Sequence, residues 1–272
     1  MIPGIHVSTA GGIEKAPGRL RDLGLEAGQI FTANQRRWIS PPLEEKSIEA
    51  FRNETGDLLF VSHASYLINP ASSRDDVRER SAAALKDELN RCIQLRIPYL
   101  VLHPGAHQGA GAQEGIRMVA EALKKAIEET GSGPVILLEN TAGAGTTLGR
   151  SFQELAEIRD LAGMPERTGY CIDTAHAHGA GYDIGDADFS GTIQTILGAG
   201  NVRVFHMNGS KVEMGSLRDR HEHFSCGTIE LSDIMNLYND PAFEGTLGIA
   251  ETPGSDQDRA ADMGMLERED EI

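Results

Sequence analysis

The chain has 272 residues, 40% hydrophobic and 24% charged, which excludes a disordered, fibrous or disulfide-stapled protein and fits an ordinary globular one. Lys+Arg 25 against Asp+Glu 41 leaves a formal net charge of −16, which on its face argues against nucleic acid or an anionic membrane as partner, since both reward basic surfaces. Cys92, Cys171 and Cys226 are far apart and odd in number, so neither a CxxC motif nor a closed disulfide framework is available, and a reducing cytoplasm is the expected home. No apolar run approaches the ~18 residues of a membrane helix, and the first residues lack the basic and apolar regions of a secretory signal. A protein neither exported nor membrane-spanning is therefore expected.

Along the chain, short, continuously apolar runs recur at 2–7, 27–31, 58–61, 99–102, 135–138, 169–172, 202–205 and 247–250. Apolar residues without alternation are the pattern of parallel strands covered on both faces. Their spacing leaves room for a crossover helix in every gap. Two gaps show the helical period: Ile116, Val119, Ala120, Leu123 and Ile127 form one stripe, and Val77, Ala84, Leu85, Leu89 and Cys92 another. Eight β-then-α units predict an α/β fold, a single (β/α)8 TIM barrel over 1–272, with a doubly wound open sheet as the alternative. The segment 143–149, GAGTTLG, misses the GxGxxG spacing and reads as a flexible loop. The acidic segment 256–272 reads as a solvated, partly frayed terminus.

A barrel builds its active site at the C-terminal ends of its strands. The third to eighth runs close on His63, His103, Glu139, Asp173, His206 and Glu251, six consecutive potential metal ligands that converge on one point. Acids clustered without a basic partner repel one another unless cations neutralise them. The loops after Asp173 and His206 add His176, Asp219 and His221. Imidazole and carboxylate donors without thiolate suit zinc, manganese or iron, and the high imidazole share favours zinc. Nine candidates suit two or three ions. Clustered divalent ions serve phosphoester hydrolysis by activating water and neutralising the entering and leaving oxygens.

The segments GIHVSTAGG (4–12), FTANQRRW (31–38), SHASYLIN (62–69), LHPGAH (102–107), LENTAGAG (138–145), CIDTAHAHGAGYD (171–183), HMNGSK (206–211), DRHEHFSCG (219–227) and AETPG (250–254) resemble the endonuclease IV family, zinc-dependent apurinic/apyrimidinic endonucleases. The resemblance implies three Zn2+, with Mn2+ or Fe2+ as alternatives at some sites. His63, His103 and Glu139 would hold the first; Glu139, Asp173, His206 and Glu251 the second; His176, Asp219 and His221 the third. The catalytic set would be His63, His103, Glu139, Asp173, His206 and Glu251. It further implies cleavage of duplex DNA 5′ to an abasic site, leaving a 3′-hydroxyl and a 5′-deoxyribose phosphate, with removal of 3′ blocking groups as a second activity. Asn34 to Trp38 would form a minor-groove loop, with Arg36 entering the base stack and Gln35 beside it, and Tyr66 and Leu67 would wedge against the gap left by the extruded sugar. His107 and His223 are expected to face phosphate or support ligands. A cytoplasmic monomer without organic cofactor is implied. Two departures from the family pattern stand out, Gly209 after His-x-Asn and Ser225-Cys226-Gly227 after the DRH loop. The alternative from another class is a sugar isomerase or epimerase using only Glu139, Asp173, His206 and Glu251 around one ion.

Overall fold

Residues 1–266 are described by a computed structural model. The strands are β1 (Ile2–His6), β2 (Ala27–Ile30), β3 (Leu59–His63), β4 (Tyr99–Leu102), β5 (Val135–Glu139), β6 (Thr168–Asp173), β7 (Val202–Met207), β8 (Gly209–Ser210), β9 (His221–Glu222) and β10 (Leu247–Ala250). All but β8 and β9 close into a barrel in the order β1-β10-β7-β6-β5-β4-β3-β2, every pairing parallel. Closure through β1, which pairs with both β2 and β10, excludes the open sheet. Each of the eight apolar runs is a barrel strand.

The helices are α1 (Ala16–Asp22), α2 (Glu45–Thr55), α3 (Asp75–Leu95), α4 (Ala112–Thr130), α5 (Phe152–Ala162), α6 (Thr174–Ala180), α7 (Phe189–Leu197), α8 (Leu231–Tyr238) and α9 (Asp256–Leu266). The stripe on α4 is buried throughout, from Ile116 to Ile127. On α3 the buried face is not purely apolar: Val77 and Ala84 are half-buried, while Glu88 and Arg91 lie inside with Leu85, Leu89 and Cys92.

Two hydrophobic layers result from strand alternation. One face of each strand packs outward on the helices; the other fills the barrel with Ala27, Val61, Val101, Leu137, Cys171, Val204, Leu247 and Ile249. Fully burying one such Leu, Ile or Val side chain contributes about 2 kcal/mol. Gly4 is required on β1, because a Cβ there would meet Ala27 O at 2.4 Å and Ile249 Cδ1 at 2.6 Å.

Two sequence expectations need correction. The loop 143–149 is pinned rather than free, since Thr147 bridges to Ala106 and Leu148 is buried. The acidic segment does not begin as a frayed terminus: 256–266 is helix α9, with Asp262, Met263 and Leu266 buried; residues 267–272 lie outside the described residues. No helix among the described residues is long and apolar enough to cross a membrane.

Candidate metal centre

The barrel interior dictates where the candidate ligands go. Successive side chains alternate between strand faces, so the residue two places beyond an interior side chain shares its face and stands one layer higher. Val61 leads to His63, Val101 to His103, Leu137 to Glu139, Cys171 to Asp173, Val204 to His206 and Ile249 to Glu251. The same step takes Gly4 to His6 and Ala27 to Gln29. A polar layer with one member from each strand therefore caps the apolar core. His6 and Gln29 belong to the same layer, but their runs continue in sequence to Val7 and Phe31, so neither residue closes its run.

Glu139 is the hub. Its Oε2 lies 3.1 Å from His63 Nε2 and 3.3 Å from His103 Nε2, and its Oε1 lies 2.9 Å from His206 Nδ1 and 3.4 Å from His176 Nδ1. Glu251 Oε2 is 3.2 Å from His206 Nδ1. Asp173 caps helix α6, accepting from His176 N at 2.7 Å. This places His176, three residues on, back over the centre. His63, His103 and Glu139 form one donor cluster, and Glu139, Asp173, His206 and Glu251 a second. A third gathers Asp173, His176 and His221, and Asp219 also reaches the two imidazoles from the rim, 3.2 Å from His176 Nε2 and 3.3 Å from His221 Nε2. Cys171 also stands beside Glu139 and His206. Burial pushes its thiol up to about 12, which keeps it protonated and a poor ligand.

Charge in this layer is strongly redistributed. Burial alone would raise the Glu139 and Glu251 carboxyls, but the imidazoles around them hold both well below the usual carboxylate range. Burial disfavours charge on His176 and His206, yet Asp173 and Asp219 at the first, and Glu251 and Glu139 at the second, raise both well above the ordinary histidine value. His103 goes the other way, pushed down to about 4 mainly by burial. Burial opposes ionisation of Asp219, but the hydrogen bond from His176 lowers it to about 2.

The donor set fits divalent cations. His176 Nδ1 and His221 Nε2 are buried without a hydrogen-bond partner, although Asp173 Oδ2 lies 3.7 Å from the first and 3.4 Å from the second. Unsatisfied buried nitrogens facing carboxylates are an arrangement that a cation between them satisfies. Other donors of the layer and their neighbours are already held from outside. His63 Nδ1–H donates to Ala64 O at 2.8 Å, and His206 Nε2–H to Gln29 Oε1 at 2.8 Å. Gln29 Nε2 donates to Glu251 Oε1 at 2.6 Å, and Asn208 Nδ2 to Asp173 Oδ2 at 2.8 Å. This is the supporting ring that fixes tautomer and orientation of metal ligands. A cavity of about 330 Å³ opens over the layer between Tyr66, Asn69, His103, Thr141, His176 and Asp219.

Residues 18–269 match the family of xylose isomerase-like TIM barrels. The chain is 43% identical over 97% of its length to the probable endonuclease 4 of Chloroflexus aurantiacus, 95% of which is covered. It is similar to the crystal structure of endonuclease IV from Thermus thermophilus, with a TM-score of 0.87 and 33% identity over 98% of this chain and 97% of that one. The chain belongs to the endonuclease IV family. A D-tagatose 3-epimerase-like protein superposes with a TM-score of 0.75 but at 21% identity over 98% of this chain and 96% of that one, a likeness of fold alone.

Of the two departures from the endonuclease IV pattern, Gly209 is a packing requirement. A Cβ on Gly209 would meet Glu222 O and His223 O at 2.8 Å, and one on Gly227 would meet Ser210 N and O at 2.9 Å. The β8–β9 ribbon that carries His221 is thus closed on both sides by backbone, leaving no room for an acid at 209. His107 is held in its own loop, its Nδ1 accepting from Gly109 N and Gly111 N. His223 Nδ1 pairs with Asp262 at 2.8 Å. Neither joins a donor cluster. Of the candidate DNA-contacting residues, Asn34 and Arg36 are exposed, Gln35 and Leu67 half-buried, and Tyr66 is 60% exposed above His63 and His103.

Proposed function

We propose that this endonuclease IV family member is a DNA-repair hydrolase that cuts duplex DNA 5′ to abasic sites, leaving a 3′-hydroxyl and a 5′-deoxyribose phosphate, and that also removes 3′ blocking groups. Three Zn2+ would be held by His63, His103 and Glu139; by Glu139, Asp173, His206 and Glu251; and by His176, His221 and Asp219, with Asp173 beside the last set. When bound, such ions supply Lewis acidity to the phosphodiester and lower the pKa of the attacking water. The reading also takes the protein to be a cytoplasmic monomer.

The remaining work falls to the chain's own groups. Four carboxylates lie around this layer, at Glu139, Asp173, Asp219 and Glu251, and alone they would repel a phosphodiester, so a cation-loaded centre is a condition of substrate entry. Glu139, with an oxygen toward each side of the layer, ties the two inner donor clusters into one unit. Tyr66, exposed and edged by Phe31, His63 and His103, would fill the gap that an extruded abasic sugar leaves. Arg36 and the Asn34 turn would meet the groove. Unstacking costs a few kcal/mol, least where a base is already missing, which accounts for lesion selectivity.

The observation that carries this reading is the set of donors beyond the four an isomerase would use. His63, His103, His176 and His221 add two further clusters that single-ion sugar chemistry leaves without a role. Purified protein should nick a duplex bearing one tetrahydrofuran abasic analogue on its 5′ side and contain close to three zinc per chain. An intact duplex with metals bound, together with turnover of a ketose, would favour the isomerase reading instead.

A further inference from the structure

Two charged side chains are buried on α3, outside the donor clusters. Glu88 and Arg91 occupy adjacent turns of α3 and are 2% and 3% exposed, on a face whose other members are Leu85, Leu89 and Cys92. Burying a carboxylate and a guanidinium is costly unless their hydrogen bonds are met, and a leucine at either position would continue the apolar stripe. What these two groups bind explains their presence. Arg91 Nη1 donates to Thr32 O at 3.0 Å, and Nη2 to Pro41 O at 2.6 Å and Ser40 O at 3.2 Å, while Nε is steadied by Asp87 at 2.7 Å. One guanidinium therefore ties both ends of the loop 32–41. Glu88 accepts from Thr32 Oγ1 at 2.7 Å and from Ser65 N at 3.3 Å, linking that loop to the one that carries Tyr66 and Leu67. Ser65 Oγ completes the tie by donating to Gln35 O at 3.3 Å.

We propose that Glu88 and Arg91 are positioning residues: a buried clamp that holds the 32–41 loop and the Ser65–Leu67 turn in one fixed relation, so that Arg36 and Tyr66 are presented together to the lesion. This rests on the functional reading above, in which both loops contact DNA. Its consequence is specific. A clamp that orders the loops before binding spares the complex that entropy cost, so loosening it weakens binding while leaving the chemistry of the bound state intact. The planar fork of arginine suits carbonyls on two sides of a loop, and lysine, a point charge, cannot span them equally well.

Trp38 is the chain's single tryptophan and lies inside the clamped loop, where it is half-buried. Its fluorescence reports loop order without reference to activity. Arg91→Met and Glu88→Ala should raise acrylamide quenching of Trp38 about twofold and the KM for an abasic duplex roughly tenfold, with kcat within twofold and zinc content unchanged. Arg91→Lys should fall between wild type and Arg91→Met; if Arg91→Met fails to fold, the lysine variant carries the test. Unchanged quenching in a folded Arg91→Met variant, or raised quenching with unchanged KM, or a loss confined to kcat, would overturn the clamp. Wild-type protein that leaves the duplex uncut overturns the functional reading and the clamp's part in recognition with it, a failure visible before any variant is made.

Discussion

Gln29 illustrates how much of the centre depends on a residue that is not itself a ligand. It is fully buried, accepts from His206 Nε2 and donates to Glu251 Oε1, and so leaves His206 Nδ1 directed at Glu139. Gln29→Leu keeps the size and removes both bonds; it should lower zinc affinity about 10- to 100-fold, as losses in the supporting ring commonly do, and competition against a chromophoric chelator would measure it. Unaltered affinity would show that the strand geometry alone orients His206. Protonation provides a second handle. The raised pKa values of His176 and His206 mean that, in metal-free protein, their contribution to stability is complete below the unfolded value of about 6.5 and fades as pH rises through the raised values. A cation bound there would displace those protons, so zinc affinity should climb with pH across that window. Titration calorimetry at pH 7 in two buffers of different ionisation enthalpy should reveal proton release, and identical heats would contradict it.

At the scale of elements, the features least legible in the sequence are those where one element serves another. Asp262 reads in sequence as one acid among seven near the terminus. In the fold it is buried on α9 and binds both Thr252 Oγ1, next to Glu251, and His223 Nδ1, on the strand side of the DRH loop. The helix therefore braces the end of β10 and the ribbon that holds His221. Asp262→Ala leaves two polar partners unpaired and should cost about 1–3 kcal/mol, read as a lower Tm. A Tm within error of wild type would mean that the other contacts of α9 hold it without these two bonds. The α3 stripe went partly astray for a related reason. Helical periodicity identifies an inward face, but Glu88 and Arg91 are inward because the loops at the strand ends offer carbonyls, hydroxyls and amides there, which no property of α3 itself encodes.

For the whole molecule, the net charge of −16 was a poor guide to partner. Four of the 41 acids are candidate ligands, at Glu139, Asp173, Asp219 and Glu251, and seven fall in 256–272, whereas Arg36, Arg37, Arg218 and Arg220 are exposed on loops at the strand C-terminal end. Distribution, not total, is what a duplex meets. The apolar barrel interior and the layer under the helices are complete without cations, so exhaustive chelation should abolish cutting while preserving the far-UV circular dichroism and a cooperative melt. The melt should shift downward, since an ion present at ~1,000-fold above its Kd stabilises the fold by about 4 kcal/mol. Outright unfolding on chelation would instead make the metals part of the folding core.

The sequence alone determined the repeating β-then-α architecture, because continuous apolar runs at βαβ spacing fit parallel strands covered on both faces; closure into a barrel rather than an open sheet was decided by the pairing of β1 with β10. It also pointed to six residues that the fold brings into one polar layer, because strand alternation places the residues closing the third to eighth runs on the interior face. The tertiary structure decided the rest. Which carboxylate oxygen faces which imidazole, that Asp173 rather than Asp219 sits deepest with His176 and His221, and that His6, Gln29, Glu88, Arg91 and Asp262 support the site all follow from contacts between residues far apart in the chain. Such pairings are set by the stagger of the closed barrel and by the loops above it, and no local pattern of residues carries them.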